Sequence, residues 1–287
     1  MSSPYYTQSF YEQIGDAATR SAGVILPLVF ELTRVRSLVD VGCGEANWLA
    51  ICRKLGVEDV LGIDGDYVDR DRLQIPQSQF QAFDLENPFS LGRVFDLAIS
   101  LEVAEHLPAD SAPNFVECLT RLAPLVLFSA AIPHQIGNHH VNEQWPDNWA
   151  ALFKGHNYLP IDFIRKRVWQ NDAVEWWYAQ NVLLFARRDF LENSPTLKAE
   201  FEKTNPAQLC LVHPKQYLYL HKLYVEALVP DEPVSWSVMG ASRLLLSCLR
   251  SALSRRFHSL LSRRPPLQTD SHKPNDALAC ERKLGER

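Results

Sequence analysis

The sequence predicts an α/β protein: a seven-stranded, mostly parallel sheet with helices on both faces, followed by a C-terminal helical extension. Three observations carry that expectation. From Arg34 to Arg188, short apolar runs rich in β-branched and aromatic residues alternate with helix-length segments, as a parallel sheet covered on both faces requires. The stretch Ser37-Leu-Val-Asp-Val-Gly-Cys-Gly reads as a buried strand running into a glycine-hinged turn. Glycine at Gly42 and Gly44 lets the backbone turn sharply and approach a ligand that a Cβ would push away. The next strand ends on Asp64, about 20 residues past the turn, where nucleotide-binding folds place an acid to grip ribose hydroxyls.

The elements follow in order. Tyr5 to Glu31 reads as two amphipathic helices, the second over Ser21 to Leu32, forming a lid over residues 1–33 whose Tyr5, Tyr6, Phe10 and Tyr11 either pack onto it, the favoured reading, or touch cofactor or substrate. Strand Leu38 to Val41, helix Ala46 to Leu55 and strand Val60 to Ile63 make one right-handed βαβ unit, with a ligand crevice at the strands' carboxyl ends. Gln79 to Asp84, Val94 to Ser100 and Leu125 to Ala131 are further strands, with a helix over Ser111 to Leu122. Ile164 to Trp169 and Asn181 to Arg187 are expected to close the sheet as an antiparallel hairpin.

Composition narrows the partners. A hydrophobic content of 46% with 10% aromatic residues suffices for a real core in 287 residues. The formal charge of -5 argues against broad nucleic-acid binding. Cys43, Cys52, Cys118, Cys210, Cys248 and Cys280 contain no CxxC pair, so neither a zinc cluster nor a disulfide framework is expected and a reducing cytoplasm is the natural compartment. Val24 to Phe30 is apolar but far short of a membrane span of about 20 residues.

The residues after the hinge choose the ligand. A dinucleotide site wants a third glycine before its helix, whereas this chain has Glu45-Ala46-Asn47, with an acid that repels a pyrophosphate. A cationic sulfonium fits better. The run Val39-Asp-Val-Gly-Cys-Gly resembles the first motif of the Rossmann-like S-adenosylmethionine (SAM) methyltransferases. The resemblance implies that Asp40, Gly42 and Gly44 surround the methionine end, Asp64 the ribose, and that Asp84 accepts from the adenine amino group while Leu85 packs on the ring. Ala46 departs from the family, which usually has another glycine there.

The chemistry is expected just past the fourth strand. Glu102, Glu105 and His106 fall at i, i+3 and i+4, one face of a helical turn. Asn138-His-His-Val-Asn-Glu-Gln-Trp then adds His139, His140 and Glu143 from a loop at the same sheet edge. An alkyl hydroxyl is a poor nucleophile near neutral pH and needs a base or a metal. His106 or His140 is the expected base, oriented by Glu102 or Glu143. The combination also resembles the metal-dependent 2′-O-methyltransferases of small-RNA 3′ ends, which implies Glu102, Glu105, His106 and His140 as ligands of Mn²⁺, Fe²⁺ or Zn²⁺, and less naturally of Mg²⁺. His134 reads as a solvated loop histidine.

Trp145, Trp149, Trp169, Trp176, Trp177 and Tyr178 crowd the segment after the fifth strand, as core or as platforms for sugar faces. This segment is similar to uncharacterised methyltransferases of bacterial surface-polysaccharide biosynthesis, and that resemblance supplies a sugar or glycan-linked hydroxyl as the acceptor. The alternatives are a small aromatic or quinone-like hydroxyl, and a SAM-binding scaffold without activity.

Beyond the domain over residues 34–188, residues 189–234 read as a linker with a strand and helix that pack back from Cys210 to Val225. Residues 235–264 carry arginines and a leucine stripe and read as a basic amphipathic helix that could lie on a membrane face or dock a partner. Residues 265–287 read as a disordered tail.

Overall fold

In the computed structural model, residues 8–228 are described, with side chains from residue 15 onward. The basic helix and tail expected over residues 235–287, and the side chains of Tyr5, Tyr6, Phe10 and Tyr11, lie outside the described residues. Among the described residues no helix is long and apolar enough to cross a membrane.

Seven strands form one sheet in the order β3-β2-β1-β4-β5-β7-β6. They are β1 (Ser37–Val41), β2 (Asp59–Asp64), β3 (Phe80–Ala82), β4 (Leu97–Leu101), β5 (Leu125–Ser129), β6 (Tyr158–Ile161) and β7 (Leu183–Arg187). The first five run parallel, and β7 lies antiparallel to both β5 and β6. Alternate residues feed two cores. Leu38, Leu97, Ile99, Leu125, Leu127 and Leu184 face one, which includes helices α1 (Gln8–Leu32) and α2 (Asn47–Lys54). Val39, Ala98, Val126, Phe128 and Phe185 face the other, with α3 (Ala112–Leu122) and α4 (Pro146–Gly155). A sheet covered on both sides must be apolar on both, which is why its strands read as unbroken apolar runs.

Four expectations are corrected. The N-terminal segment is one helix, not two: Ala18, Ala22, Ile25, Leu26, Val29 and Leu32 form one buried stripe, and the helix continues through Pro27. The sixth strand is not Ile164 to Trp169. That segment holds the short helix α5 (Arg165–Val168), because Arg165 turns inward to pair with Asp162, and Tyr158–Ile161 takes the sheet edge. Residues 189–206 hold helices α7 (Arg188–Glu192), after α6 (Trp176–Asn181), and α8 (Pro195–Glu202), whose Leu191 and Leu197 are buried. Among the described residues after Cys210 there is no strand, only the helix α9 (Pro214–Leu228).

Strand order reverses beside β1, whose neighbours are β2 and β4. The crevice at such a switch point, outside the carboxyl ends, is where doubly wound sheets bind ligands.

Candidate functional site

A cleft of about 1090 Å³ occupies that crevice. Its floor is the β1–α2 turn. Gly42 has φ of 84°, and a Cβ there would meet the Val103 side chain at 2.4 Å. Both this backbone conformation and the Val103 side chain therefore demand glycine here, on the lining of the cleft. Gly44 has φ of 52°, and a Cβ there would meet nothing within 4 Å, so the open approach lies there. Ala46, in the place of the third glycine, adopts φ of 66°, a left-handed conformation that costs a non-glycine residue about 1–2 kcal/mol. Glu45 also lines the cleft, and Arg72 Nε binds its carboxylate at 2.5 Å.

Two aspartates wall this end. Asp64, the last residue of β2, accepts from Gly44 N–H and Gly65 N–H at 2.7 Å each and from the Tyr67 hydroxyl at 2.5 Å. Burial nevertheless holds its carboxyl above the usual range, against those three bonds. Asp40 is buried, and its Oδ2 has no hydrogen-bond partner among the described residues. Burial, then the nearby charge of Asp64, pushes its carboxyl well up. An orphaned carboxylate beside an open glycine turn fits a cationic ligand with amine and hydroxyl donors. Asp84 also lines the cleft, two residues past β3, but it is exposed and its oxygens accept from Glu86 N–H at 3.0 Å and the Asn87 amide at 2.8 Å. Leu85 is buried beneath it.

At the other end the acid and imidazole groups converge, though not on one helical face. Glu102 lies at φ of 57°, ahead of a single 3-10 turn over Ala104–His106. Its backbone N–H is held by Ser129, and its carboxylate by Gln135 Nε2 at 2.8 Å and Asn181 Nδ2 at 3.0 Å. Gln180 joins this network by donating to Gln135 Oε1 at 3.1 Å. Burial raises the Glu102 carboxyl, with the Asn181, Ser129 and Gln135 bonds working against it. Glu105 is fully buried and both its oxygens lack a partner among the described residues. Burial first, and the Glu102 charge second, drive its carboxyl well above normal.

The loop after β5 is pinned against this turn: Val141 N–H and Asn142 N–H donate to the Glu105 carbonyl at 2.9 and 3.0 Å. His134, Ile136 and His139 all have left-handed backbones within it. Strain of this kind persists only where the surroundings impose it, and it gathers at functional sites. His140 Nδ1 lies 2.8 Å from Glu143 Oε1, while Glu143 Oε2 accepts His134 N–H at 2.7 Å. The His106 and His140 rings meet edge to face at 4.9 Å. Burial, then the His140 neighbour, lowers the His106 imidazole to about 4, so it is neutral at physiological pH. Donor atoms of Glu105, His106 and His140 lie within 4.8 Å of one another. Glu102 is not in that group, since amides hold its oxygens. His134 and His139 are exposed.

The tryptophans divide. Trp149 is core, Trp145 is exposed, and Trp176, Trp177 and Tyr178 from α6 line the cleft. Sequence reasoning missed Gln135, Gln180 and Asn181. Only Asn181 carried a signal, a polar residue heading an apolar run.

A family model described as a methyltransferase domain matches residues 15–175, more than half of the chain. Among solved structures, the chain resembles the sugar N-methyltransferase KedS8 of Streptoalloteichus, with 17% identity over 66% of this chain and 94% of that one and a TM-score of 0.51. It also resembles magnesium protoporphyrin IX methyltransferase of Synechocystis, solved with bound S-adenosylhomocysteine (18% identity, 63% and 88% covered, TM-score 0.46). A third is an amino pentose methyltransferase of Micromonospora echinaspora (14% identity, 63% and 98% covered, TM-score 0.44). No curated protein matches. The matched domain, with the strand order and the cleft it encloses, makes this chain a member of the class I SAM-dependent methyltransferases.

Proposed function

We propose that the protein O-methylates a sugar or glycan-linked hydroxyl. The observation that carries this reading is the His140–Glu143 pair at the cleft edge. A carboxylate only accepts, so the imidazole proton belongs on Nδ1 and Nε2 keeps its lone pair. His140 is then the group that takes the acceptor's proton, and Glu143 holds its tautomer and stabilises the imidazolium that forms. An amine acceptor needs less of such help. Trp176 and Trp177 at the rim offer flat faces for a sugar ring.

In this reading Gly44 gives the cofactor its close approach, Asp40 and Asp64 receive its ammonium and ribose donors, and Asp84 with Leu85 borders the adenine. When bound, SAM supplies an electrophilic methyl on a sulfonium whose S–C bond breaks with the electron pair staying on sulfur. Glu102, fixed by Gln135 and Asn181, sets the position of the turn that carries Glu105 and His106. Alignment of oxygen, carbon and sulfur supplies much of the rate.

One observation favours a second device in the same place. The unpartnered Glu105 carboxylate, His106 and His140 form a three-residue donor set, and Glu143 behind His140 resembles the carboxylate that orients a metal-bound histidine. Two imidazoles and one carboxylate suit Mn²⁺, Fe²⁺ or Zn²⁺ better than Mg²⁺. Such an ion would lower the pKa of a bound hydroxyl.

The test is transfer of label from radiolabelled SAM to a panel of nucleotide sugars, oligosaccharides, phenols and amines. Label in an alkali-stable sugar ether, reduced about 10²–10⁴-fold by His140→Ala, is the expected result. Label found only in phenols or amines would reject the sugar reading.

A further inference from the structure

The cleft does not end at Trp176. Trp176 and Lys215 also line a neighbouring depression of about 280 Å³. That depression shares Trp169, Gln170 and Asn171 with a third cavity of about 680 Å³, which reaches Gln208. Three concave sites thus follow one another along the surface, with a tryptophan at each junction.

The charged groups of the outer two sites are engaged with protein partners. Arg165, fully buried, pairs with both oxygens of Asp162 at 2.9 and 2.7 Å and donates to the Gln180 and Leu209 carbonyls. Lys215 Nζ pairs with Asp172 at 3.0 Å. Lys166 donates to the Lys203 carbonyl, and Arg167 lies over the Phe163 ring, its carbon 3.5 Å from the ring centre. Asp162 and Asp172 offset the charges of Arg165 and Lys215, whereas the carbonyl and the ring hold Lys166 and Arg167 in place without cancelling their charge. Beside them the cavity presents exposed side-chain amides, Gln170 and Gln208 among them, and the half-buried Trp169. Amides both donate and accept, which matches hydroxyl groups, and indole faces match the C–H face of a sugar ring.

We propose that the acceptor is an oligosaccharide of several units. One sugar presents its hydroxyl to His140, while the following units run past Trp176 and Trp169 to the cavity beside Gln208. This rests on the sugar reading above and adds length and direction to it. It also makes the outer cavity a specificity-determining subsite.

The experiment uses the full chain with SAM and a panel of neutral saccharides from one to six units, measuring kcat/KM for each. In the wild type, kcat/KM rises about tenfold or more from one unit to six, mostly through KM. In a Gln170→Ala, Gln208→Ala double variant, both exposed positions with intact circular dichroism expected, that six-to-one ratio falls below about threefold. A flat length series in the wild type, or the same ratio in the variant, would overturn the proposal. Methylation of RNA oligonucleotides, phenols or amines with no saccharide methylated would instead reject the sugar reading itself, and this extension with it.

Discussion

Glu143 binds its neighbour His140 through one oxygen, at 2.8 Å, and the His134 backbone N–H through the other, at 2.7 Å. The carboxylate is therefore held at both ends and transmits that fixity to the imidazole. Glu143→Gln keeps the shape but loses the charge that favours the Nδ1–H tautomer. We expect kcat to fall by about 10–100-fold, the size usual for a group that orients a histidine, with KM for SAM unchanged. Steady-state kinetics with a saturating acceptor check this; an unchanged kcat would remove Glu143 from the mechanism.

The amide clamp on Glu102 yields a stability prediction. Asn181→Leu removes a donor at 3.0 Å from a carboxylate that burial already disfavours. Leaving a buried acceptor unsatisfied costs about 1–3 kcal/mol, read as a lower urea midpoint with unchanged slope. Gln135→Leu should cost a similar amount, since Gln135 supplies the other donor at 2.8 Å.

Glu105 gives a pH dependence. Its folded carboxyl titrates well above the ordinary range because of burial and the Glu102 charge. The folded state therefore keeps a proton that the unfolded state releases above about pH 4.3. By linkage, that difference makes stability fall as pH rises through the window between the two values. Glu105→Gln lacks this slope. In chelator-treated protein its thermal midpoint should match the wild type near pH 4 and exceed it as the pH rises above that.

The donor set of Glu105, His106 and His140 makes a separate prediction about metal. If an ion is held there, protein purified without chelator contains about one Mn, Fe or Zn per chain by elemental analysis. Glu105→Gln and His140→Ala each lose it. Glu102→Ala affects it less, because Glu102 is spent on Gln135 and Asn181. Wild-type protein that stays active and metal-free under chelation would leave His140 as the base alone.

Much of this arrangement is legible in the chain, for identifiable reasons. Val39-Asp-Val-Gly-Cys-Gly announces a strand and turn because both φ values at Gly42 and Gly44 lie in the left-handed region. Strands β4, β5 and β7 are legible because burial on both faces leaves unbroken apolar runs. The sixth strand is hidden: Tyr158-Leu-Pro-Ile is four residues long with a proline, whereas Ile164 to Trp169 has the more strand-like composition. Only a buried partner for Arg165, Asp162, explains why that segment coils instead. Helix α8 has a usable signal, Ser194 ahead of Pro195 at the first turn, obscured by the polar composition around it. In the site, His106 and His140 can be named from sequence, but the partner of each carboxylate cannot. Glu102 is turned by a left-handed backbone, and the amides that bind it come from positions 33 and 79 residues away.

The assignment of the cleft is tested by a calorimetric titration of the intact protein with S-adenosylhomocysteine, beside its Asp64→Ala variant. One site per chain is expected, with a dissociation constant within the range of about 1 μM to 1 mM common for enzyme ligands. Binding in the variant should be at least about tenfold weaker, because charge-assisted hydrogen bonds are lost. No binding to the wild type, or equal binding by both, would contradict the assignment of this cleft to the cofactor.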